Sequence, residues 1–280
     1  MVLQAAGRLK NFQEQGFIII PGFKAASEIS ALRQRAAQIV DGFDPSQAAS
    51  IFTTKNQAQH SDRYFLESGD KVRCFFEEDA FDQAGALKYA KALSINKIGH
   101  ALHDVDPVFD RFSRDPRLAD LCAELGLLQP LLYQSMYIFK QPQIGGEVHW
   151  HQDATFFLTD PISVITFWFA LEDADQTNGC LWTQPGAHRS PLRQRFVVSN
   201  GVAALEVVDS TPWPSSDAIV PLEVRAGDLV VFCGLLPHYS APNRSTQSRH
   251  AYTLHIVDGM TTYSPANWLQ RATALPARGF

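Results

Sequence analysis

The chain has 280 residues, 45% of them hydrophobic and 19% charged, proportions that exclude a disordered or collagen-like polymer and predict one soluble globular domain with a large core. With 24 basic and 29 acidic residues the net charge is −5, so neither nucleic acid nor an anionic membrane is an expected partner. Cys74, Cys122, Cys180 and Cys233 form no C-x-x-C pair and read as reduced packing residues of a cytoplasmic protein. No apolar run approaches a membrane span, and neither MVLQAAGRLKNFQEQGF nor the terminal ARGF reads as a targeting signal.

In chain order, a short polar helix is predicted at Gly7 to Gln15, then the strand-like run Phe17 to Ile20, stopped by Pro21-Gly22. A second helix follows, with Ser27 as N-cap and Ile29, Leu32, Ala36 and Ile39 on one face. Residues 41 to 62 are polar and read as a loop. From Ala84 to Leu127 the apolar period is near 3.6, interrupted at Pro107 and Pro116, which predicts two or three helices and places Lys97 in a helical region.

After Pro130 the texture changes to LLYQSMYIFKQ, EVHWHQDATFF, SVITFWFAL, GCLWTQP, AIVPLEV, DLVVFCG and RHAYTLHIV, short β-branched and aromatic runs between turn signals. The expected fold is mainly β, a jelly-roll or cupin-like double-stranded β-helix, with a helix-rich part (1–129) packed on a β core (130–260) as a single domain. Residues 210 to 216 read as a long loop inside that domain.

His151-Gln152-Asp153 is an H-x-D pair, weak by itself, and His60-Ser61-Asp62 is a decoy in a polar loop. On a strand, residues i and i+2 share a face, so His151 and Asp153 would point inward together and supply two ligands of a 2-His-1-carboxylate site for Fe(II). The remaining ligand has four downstream candidates in His188, His238, His250 and His255. His238 follows an apolar strand and a Pro, at the mouth of a barrel, with Ser240 on its face. Arg249 opens the last long strand, where Arg249, Ala251 and Thr253 share one face; an Arg directed into a barrel beside small residues calls for an anion such as a dicarboxylate.

The set HWHQD, NGCLWTQPGAH, GDLVVF, PHYSAPN and an Arg eleven residues after the distal His resembles the phytanoyl-CoA dioxygenase family of Fe(II)/2-oxoglutarate oxygenases. The resemblance runs from QEQGFIIIPGF to about Asp258 and extends through YFLESGDKVRCFFEE, SINKIGHALHDVDPVF and MYIFKQPQIGGEV. It implies that His151, Asp153 and His238 bind iron and that Arg249 and Ser240 hold the distal carboxylate of 2-oxoglutarate. It further implies that Lys97, Met136 and Trp168 line the co-substrate pocket. The implied reaction hydroxylates a C–H bond of a small-molecule substrate, with O2 consumed, succinate and CO2 released and ascorbate as an activator. Relatives that halogenate carry a small residue in place of the carboxylate, so Asp153 points to hydroxylation.

His149 departs from the close branch of the family and, lying on the face of His151, is a competing ligand to be checked. His188 is expected to hydrogen-bond its own loop. Arg189, Arg193 and Arg195 read as a solvated basic cluster, with an anionic substrate such as an acyl-CoA as the other reading. The segments 41–62 and 190–217 are candidate lid and specificity loops, and Tyr64, Phe65, Phe75, Phe76, Phe156 and Phe157 are candidates for an apolar pocket. Two rival functions are a cupin-like metal enzyme that does not use 2-oxoglutarate and a catalytically silent 2-oxoglutarate-binding domain.

Overall fold

A computed structural model describes residues 2–46, 50–52, 62–215 and 217–280, with side chains from residue 7 onward. The chain opens with helix α1 (Val2–Gln15), strand β1 (Phe17–Ile20), helix α2 (Ala26–Gly42), the single turn α3 (Arg63–Leu66) and strands β2 (Val72–Phe76) and β3 (Ile95–His100). Three short helices follow, α4 (Leu102–Val105), α5 (Pro107–Ser113) and α6 (Pro116–Glu124). Then come β4 (Pro130–Ile138), β5 (Val148–His151), β6 (Thr159–Asp160), β7 (Ile165–Ala170), β8 (Leu181–Thr183), β9 (Gln194–Ser199) and β10 (Val202–Val207). The chain closes through β11 (Val220–Leu222), β12 (Leu229–Cys233), β13 (His238–Ser240), β14 (Ala251–Asp258) and β15 (Thr262–Tyr263).

Two antiparallel sheets form the core. The larger has seven strands in the order β1-β12-β7-β14-β4-β3-β2, and the smaller has four in the order β11-β8-β13-β5. The non-sequential neighbours are those of a jelly roll, so the expected double-stranded β-helix is the fold. One face of the large sheet is covered by helices: Phe167, Phe169, Tyr252 and Leu254 pack against Leu32, Phe109, Phe112 and Leu118. The opposite face looks toward the small sheet, and at one end Trp168, Ala170 and Ala251 meet Leu181 and Leu222 across the gap. Strand β14 is therefore buried at all eight positions, with odd and even residues serving different faces.

Several local expectations change. Helix α2 starts at Ala26 with Ala25 as N-cap, two residues ahead of Ser27, because the Glu28 carboxylate accepts the Ala25 N–H at 2.9 Å. Pro107 and Pro116 begin helices instead of interrupting them. Asp106 caps Val108 N–H at 3.0 Å and Asp115 caps Arg117 N–H at 3.0 Å, with each proline in the first turn, where a missing N–H costs nothing.

The largest correction concerns Lys97, which lies in strand β3 and not in a helix. All six residues of β3 are buried, so the alternation that marks a half-exposed strand is absent from its sequence. Segment 190–217 is also less loop-like than expected: half of it is the β9–β10 hairpin, turned by Asn200 and Gly201, both at positive φ (52° and 77°). Of the decoy, His60 and Ser61 lie outside the described residues, as does most of the expected loop between 47 and 61. Asp62 caps α3 by accepting Tyr64 N–H at 2.8 Å.

Candidate metal centre and cavity

Strand β5 ends at His151, and Asp153 opens a turn of 3-10 helix (Asp153–Thr155), so the two residues do not share a strand as expected. The turn is fixed by Gln152, whose buried amide donates to the carbonyls of Pro191 (3.1 Å) and Leu235 (2.9 Å) and accepts Arg193 N–H at 3.0 Å. Ala154 N–H donates to Gly234 O at 3.0 Å, tying the turn to the segment before β13. His238 enters from β13, whose register pairs it directly with His151.

The geometry converges on one carboxylate oxygen. His151 Nε2 is 3.6 Å and His238 Nε2 is 3.8 Å from Asp153 Oδ1, and the two imidazole centroids are 4.1 Å apart. Each imidazole is oriented through its other nitrogen: His151 Nδ1 is 2.8 Å from His149 O and His238 Nδ1 is 3.0 Å from Leu236 O. A carbonyl only accepts, so both Nδ1 atoms carry a proton, which leaves Nε2 of each ring as the atom that can offer a lone pair to a metal beside Asp153. Burial, then the neighbouring His238, lowers the His151 pKa to about 3, which keeps that ring neutral. Burial opposes ionisation of Asp153, but the surrounding imidazoles His238 and His255 outweigh it and hold the carboxyl well below its usual range. Two imidazole nitrogens and one carboxylate, all within 4.8 Å, form a donor set suited to a divalent transition metal, and no other such group occurs among the described residues. The residues present fit iron(II).

The remaining candidates line the same cavity. It encloses about 210 Å³ between the two sheets and includes Lys97, Met136, Trp168, Ser240 and Arg249 beside the triad. Its floor is a set of cross-strand rows on the large sheet: Thr166, His255 and Gln134 at one level, Trp168, Thr253 and Met136 at the next, and Ile138 beyond, in the row where Ala170 and Ala251 pack against the small sheet. Lys97 continues that last row as the partner of Ile138. Arg249 precedes Ala251 on the same face. Its Nε donates to Gly179 O at 3.1 Å, its Nη2 lies 3.4 Å from Ser240 Oγ, and its guanidinium sits 5.2 Å from the Trp168 ring centre. Burial lowers its pKa only to about 10, so it stays charged, yet its buried Nη1 has no hydrogen-bond partner. A buried cation with an idle donor is the counterpart of an anion. Burial lowers the Lys97 pKa to about 7, partly offset by Glu77, and its ammonium sits over the Phe52 ring.

The other histidines separate cleanly. His149 is 46% exposed at the cavity mouth and paired with Glu147 at 3.3 Å, outside the metal-binding group. His188 bonds the Gln13 carbonyl of α1 (3.2 Å), not its own loop. His250 lies just before β14 on the side of helix α2, 2.8 Å from Tyr137 Oη. His255 supports the site instead of completing it, with Nε2 3.5 Å from Asp153 Oδ2, an oxygen that also accepts the Thr166 hydroxyl. Sequence alone offered His255 only as a possible ligand, because its contact with Asp153 spans the barrel.

The basic cluster is no cluster. Arg193 is buried, bonding Thr211 O (3.0 Å), Pro212 O (3.0 Å) and Ser190 Oγ (2.9 Å); Arg195 pairs with Glu206 at 2.6 Å across the hairpin; Arg189 donates to Gln13 O. The aromatic set divides too. Phe65, Phe156 and Phe157 line the cavity, Phe75 packs behind Phe65 with Tyr64, and Phe76 belongs to the opposite core beside Phe43.

The sequence model of the family described as phytanoyl-CoA dioxygenase (PhyH) matches residues 12–251. The chain belongs to the phytanoyl-CoA dioxygenase family. It is a dioxygenase of the iron(II)/2-oxoglutarate class. Among relatives in this family, phytanoyl-CoA dioxygenase 1 of Oryza sativa subsp. japonica is 46% identical over 267 residues, covering 94% of this chain and 93% of its own. Phytanoyl-CoA dioxygenase domain-containing protein 1 of Mus musculus is 44% identical over 285 residues, covering 99% and 98%. Solved structures share the fold at lower identity. The α-ketoglutarate-dependent epimerase SnoN from nogalamycin biosynthesis superposes with a TM-score of 0.65 at 16% identity, over 95% of this chain and 87% of that one. EctD from S. alaskensis, solved with 2-oxoglutarate and 5-hydroxyectoine, gives 0.63 at 21%, over 100% and 88%.

Proposed function

We propose that this phytanoyl-CoA dioxygenase family member hydroxylates a C–H bond of a small-molecule substrate, holding iron(II) through His151, Asp153 and His238 and 2-oxoglutarate through Arg249. The observation that carries the reading is Arg249, a buried guanidinium with an unpartnered Nη1 in the same cavity as the two lone-pair imidazoles and the carboxylate. Bound iron(II) with 2-oxoglutarate supplies the oxidising chemistry, using O2 and releasing succinate and CO2 as one oxygen atom enters the substrate.

The chain's own residues do the positioning. Nδ1–H bonds to backbone carbonyls fix both imidazole planes, so Nε2 of each needs no reorganisation to bind a metal. Arg249 meets the distal carboxylate with Nη1, steadied by Gly179 O and Ser240 Oγ. Ser240 is itself held, donating its hydroxyl to Gly179 O at 2.9 Å. Lys97, Met136 and Trp168 complete the co-substrate side, Lys97 adding a second positive charge. Apolar walls from Phe65, Phe156, Phe157 and Trp268 exclude water from the substrate side.

The same reading assigns a cytoplasmic setting, supported by four cysteines with free thiols. No described helix is long and apolar enough to cross a membrane. Ascorbate belongs in the assay as an activator.

Anaerobic addition of Fe(II) and 2-oxoglutarate tests the assignment. The expected result is the weak visible charge-transfer band of a 2-oxoglutarate chelate, reduced by Asp153→Ala and by Arg249→Ala. Iron binding without that band would overturn the co-substrate assignment and favour a cupin-like metal enzyme.

A further inference from the structure

The cavity holds a second unsatisfied centre, away from the metal-binding group. His100 ends strand β3, is 1% exposed and lines the cavity. Three aromatic rings grip its imidazole: Phe65 edge-on at 5.4 Å, Trp268 edge-on at 5.2 Å and Phe75 at 5.5 Å. Its Nδ1 lies 2.7 Å from Ser68 Oγ.

The tautomer follows from counting protons. Ser68 has one hydroxyl hydrogen and gives it to the Phe65 carbonyl, which can only accept. Ser68 Oγ must therefore accept from His100, so Nδ1 carries the proton and Nε2 presents a lone pair. Burial, then Lys97, holds the His100 pKa well below its ordinary value, so the ring is neutral. Nε2 is buried and has no hydrogen-bond partner among the described residues.

Leaving such an acceptor unpaired is destabilising, a cost removed when a ligand donates to it. The surroundings narrow the donor. Phe65, Phe157 and Trp268 make the neighbouring wall apolar, and the partial charge of Lys97 works against a cation, so a neutral donor is favoured over an ammonium group. We propose that His100 is a specificity-determining residue whose Nε2 accepts a hydrogen bond from a neutral hydroxyl or amide-type N–H on a largely apolar primary substrate. This deepens the oxygenase reading of the cavity and rests on it.

The test uses metal-free full-length protein labelled with 15N-histidine, followed by long-range 1H–15N NMR, with two matched probe pairs: indole against 1-methylindole and phenol against anisole. Two variants separate the nitrogens. His100→Asn keeps an N–H near the place of Nδ1 and deletes Nε2, whereas His100→Gln keeps an acceptor near Nε2.

The expected wild-type spectrum has His100 as the neutral Nδ1–H tautomer. Each donor probe is expected to bind about tenfold more tightly than its methylated twin, the ratio typical of one hydrogen bond, and to shift the Nε2 resonance. His100→Asn should erase the difference and His100→Gln should retain part of it, with His151 and His238 signals unchanged as the check on folding. A protonated ring, an Nε2–H tautomer or donor probes that bind no better than their twins overturns the proposal, absence of binding by all four included. Should His100→Asn fail to fold, the wild-type tautomer and the wild-type probe ratio still decide it. No metal or 2-oxoglutarate enters these measurements, so their failure is distinct from loss of the charge-transfer band.

Discussion

Asp153 divides its two oxygens between different tasks: Oδ1 faces His151 Nε2 and His238 Nε2, while Oδ2 is taken by His255 Nε2 at 3.5 Å and by the Thr166 hydroxyl. Thr166 and His255 are cross-strand partners on β7 and β14, so the large sheet itself orients the carboxylate toward the small sheet that carries both imidazoles. Positioning partners of this kind set metal affinity. Thr166→Val and His255→Phe are each expected to weaken Fe(II) or Mn(II) binding about 10- to 100-fold with little change in melting temperature. Calorimetric titration under anaerobic conditions measures this, and unchanged affinity in both variants would remove the role.

Arg249 leaves a different signature. Arg249→Ala is expected to lower 2-oxoglutarate affinity roughly 10- to 100-fold, the loss of a charge-assisted bond of about 1.5–3 kcal/mol, while leaving metal affinity near wild type. Arg249→Lys recovers charge without the fork and should fall between. Equal loss of metal and co-substrate affinity would point to collapse of the cavity instead.

Lys97 makes co-substrate binding dependent on pH. Its ammonium loses a proton near pH 7 because burial disfavours the charge, and a bound dianion favours the charged form, raising that value. Below pH 7 the charge is present before binding and affinity is flat. As pH rises above 7, binding must take up a proton, and affinity should fall by up to about tenfold per pH unit until the bound-state value is passed. Lys97→Met, weaker at pH 6.5, should lack this slope. A wild-type dissociation constant constant from pH 6.5 to 9 would contradict the assignment.

Away from the cavity, Asp104 is a fully buried carboxylate joined to Arg114 at 2.7 Å, Arg278 at 2.9 Å and Arg271, which pins the C-terminal segment to α4. Burial opposes its charge, but His103 and the arginines prevail and hold its pKa below the usual range. Its stabilisation is therefore complete above the unfolded value of about 3.9 and is lost as pH falls through the lower folded value. Asp104→Ala, which removes the carboxylate shared by three guanidinium groups and leaves Arg114 with Asp110 and Arg271 with backbone carbonyls only, is expected to cost about 2–4 kcal/mol in chemical denaturation at pH 7. A loss below about 1 kcal/mol would show the network to be solvated.

What the sequence made legible was local or periodic. Arg249, Ala251 and Thr253 could be placed on one face because β14 and the residues leading into it alternate, whereas His151 and Asp153 come together through a 3-10 turn after β5 that the strand spacing did not show. Lys97 could not be placed on a strand, since β3 is buried on both faces and carries no alternation. His255 and His100 matter through partners more than thirty residues away, Asp153 and Ser68, and no spacing rule joins them. Arg189, Arg193 and Arg195 looked alike as a string of charges and proved to have three separate structural uses, because burial and partners, not proximity in sequence, decide what a charge does.

Strand β14 and the residues leading into it interleave two vocabularies letter by letter: Arg249, Thr253 and His255 spell the cavity, while Tyr252, Leu254 and Ile256 spell the core against the helices. A slip of one residue would put Tyr252 and Leu254 into the cavity and His255 among phenylalanines. The error would be fatal to folding before it could be harmful to catalysis. The protein thus proofreads its own active site during assembly: chains that reach the native state have already placed their chemistry in frame.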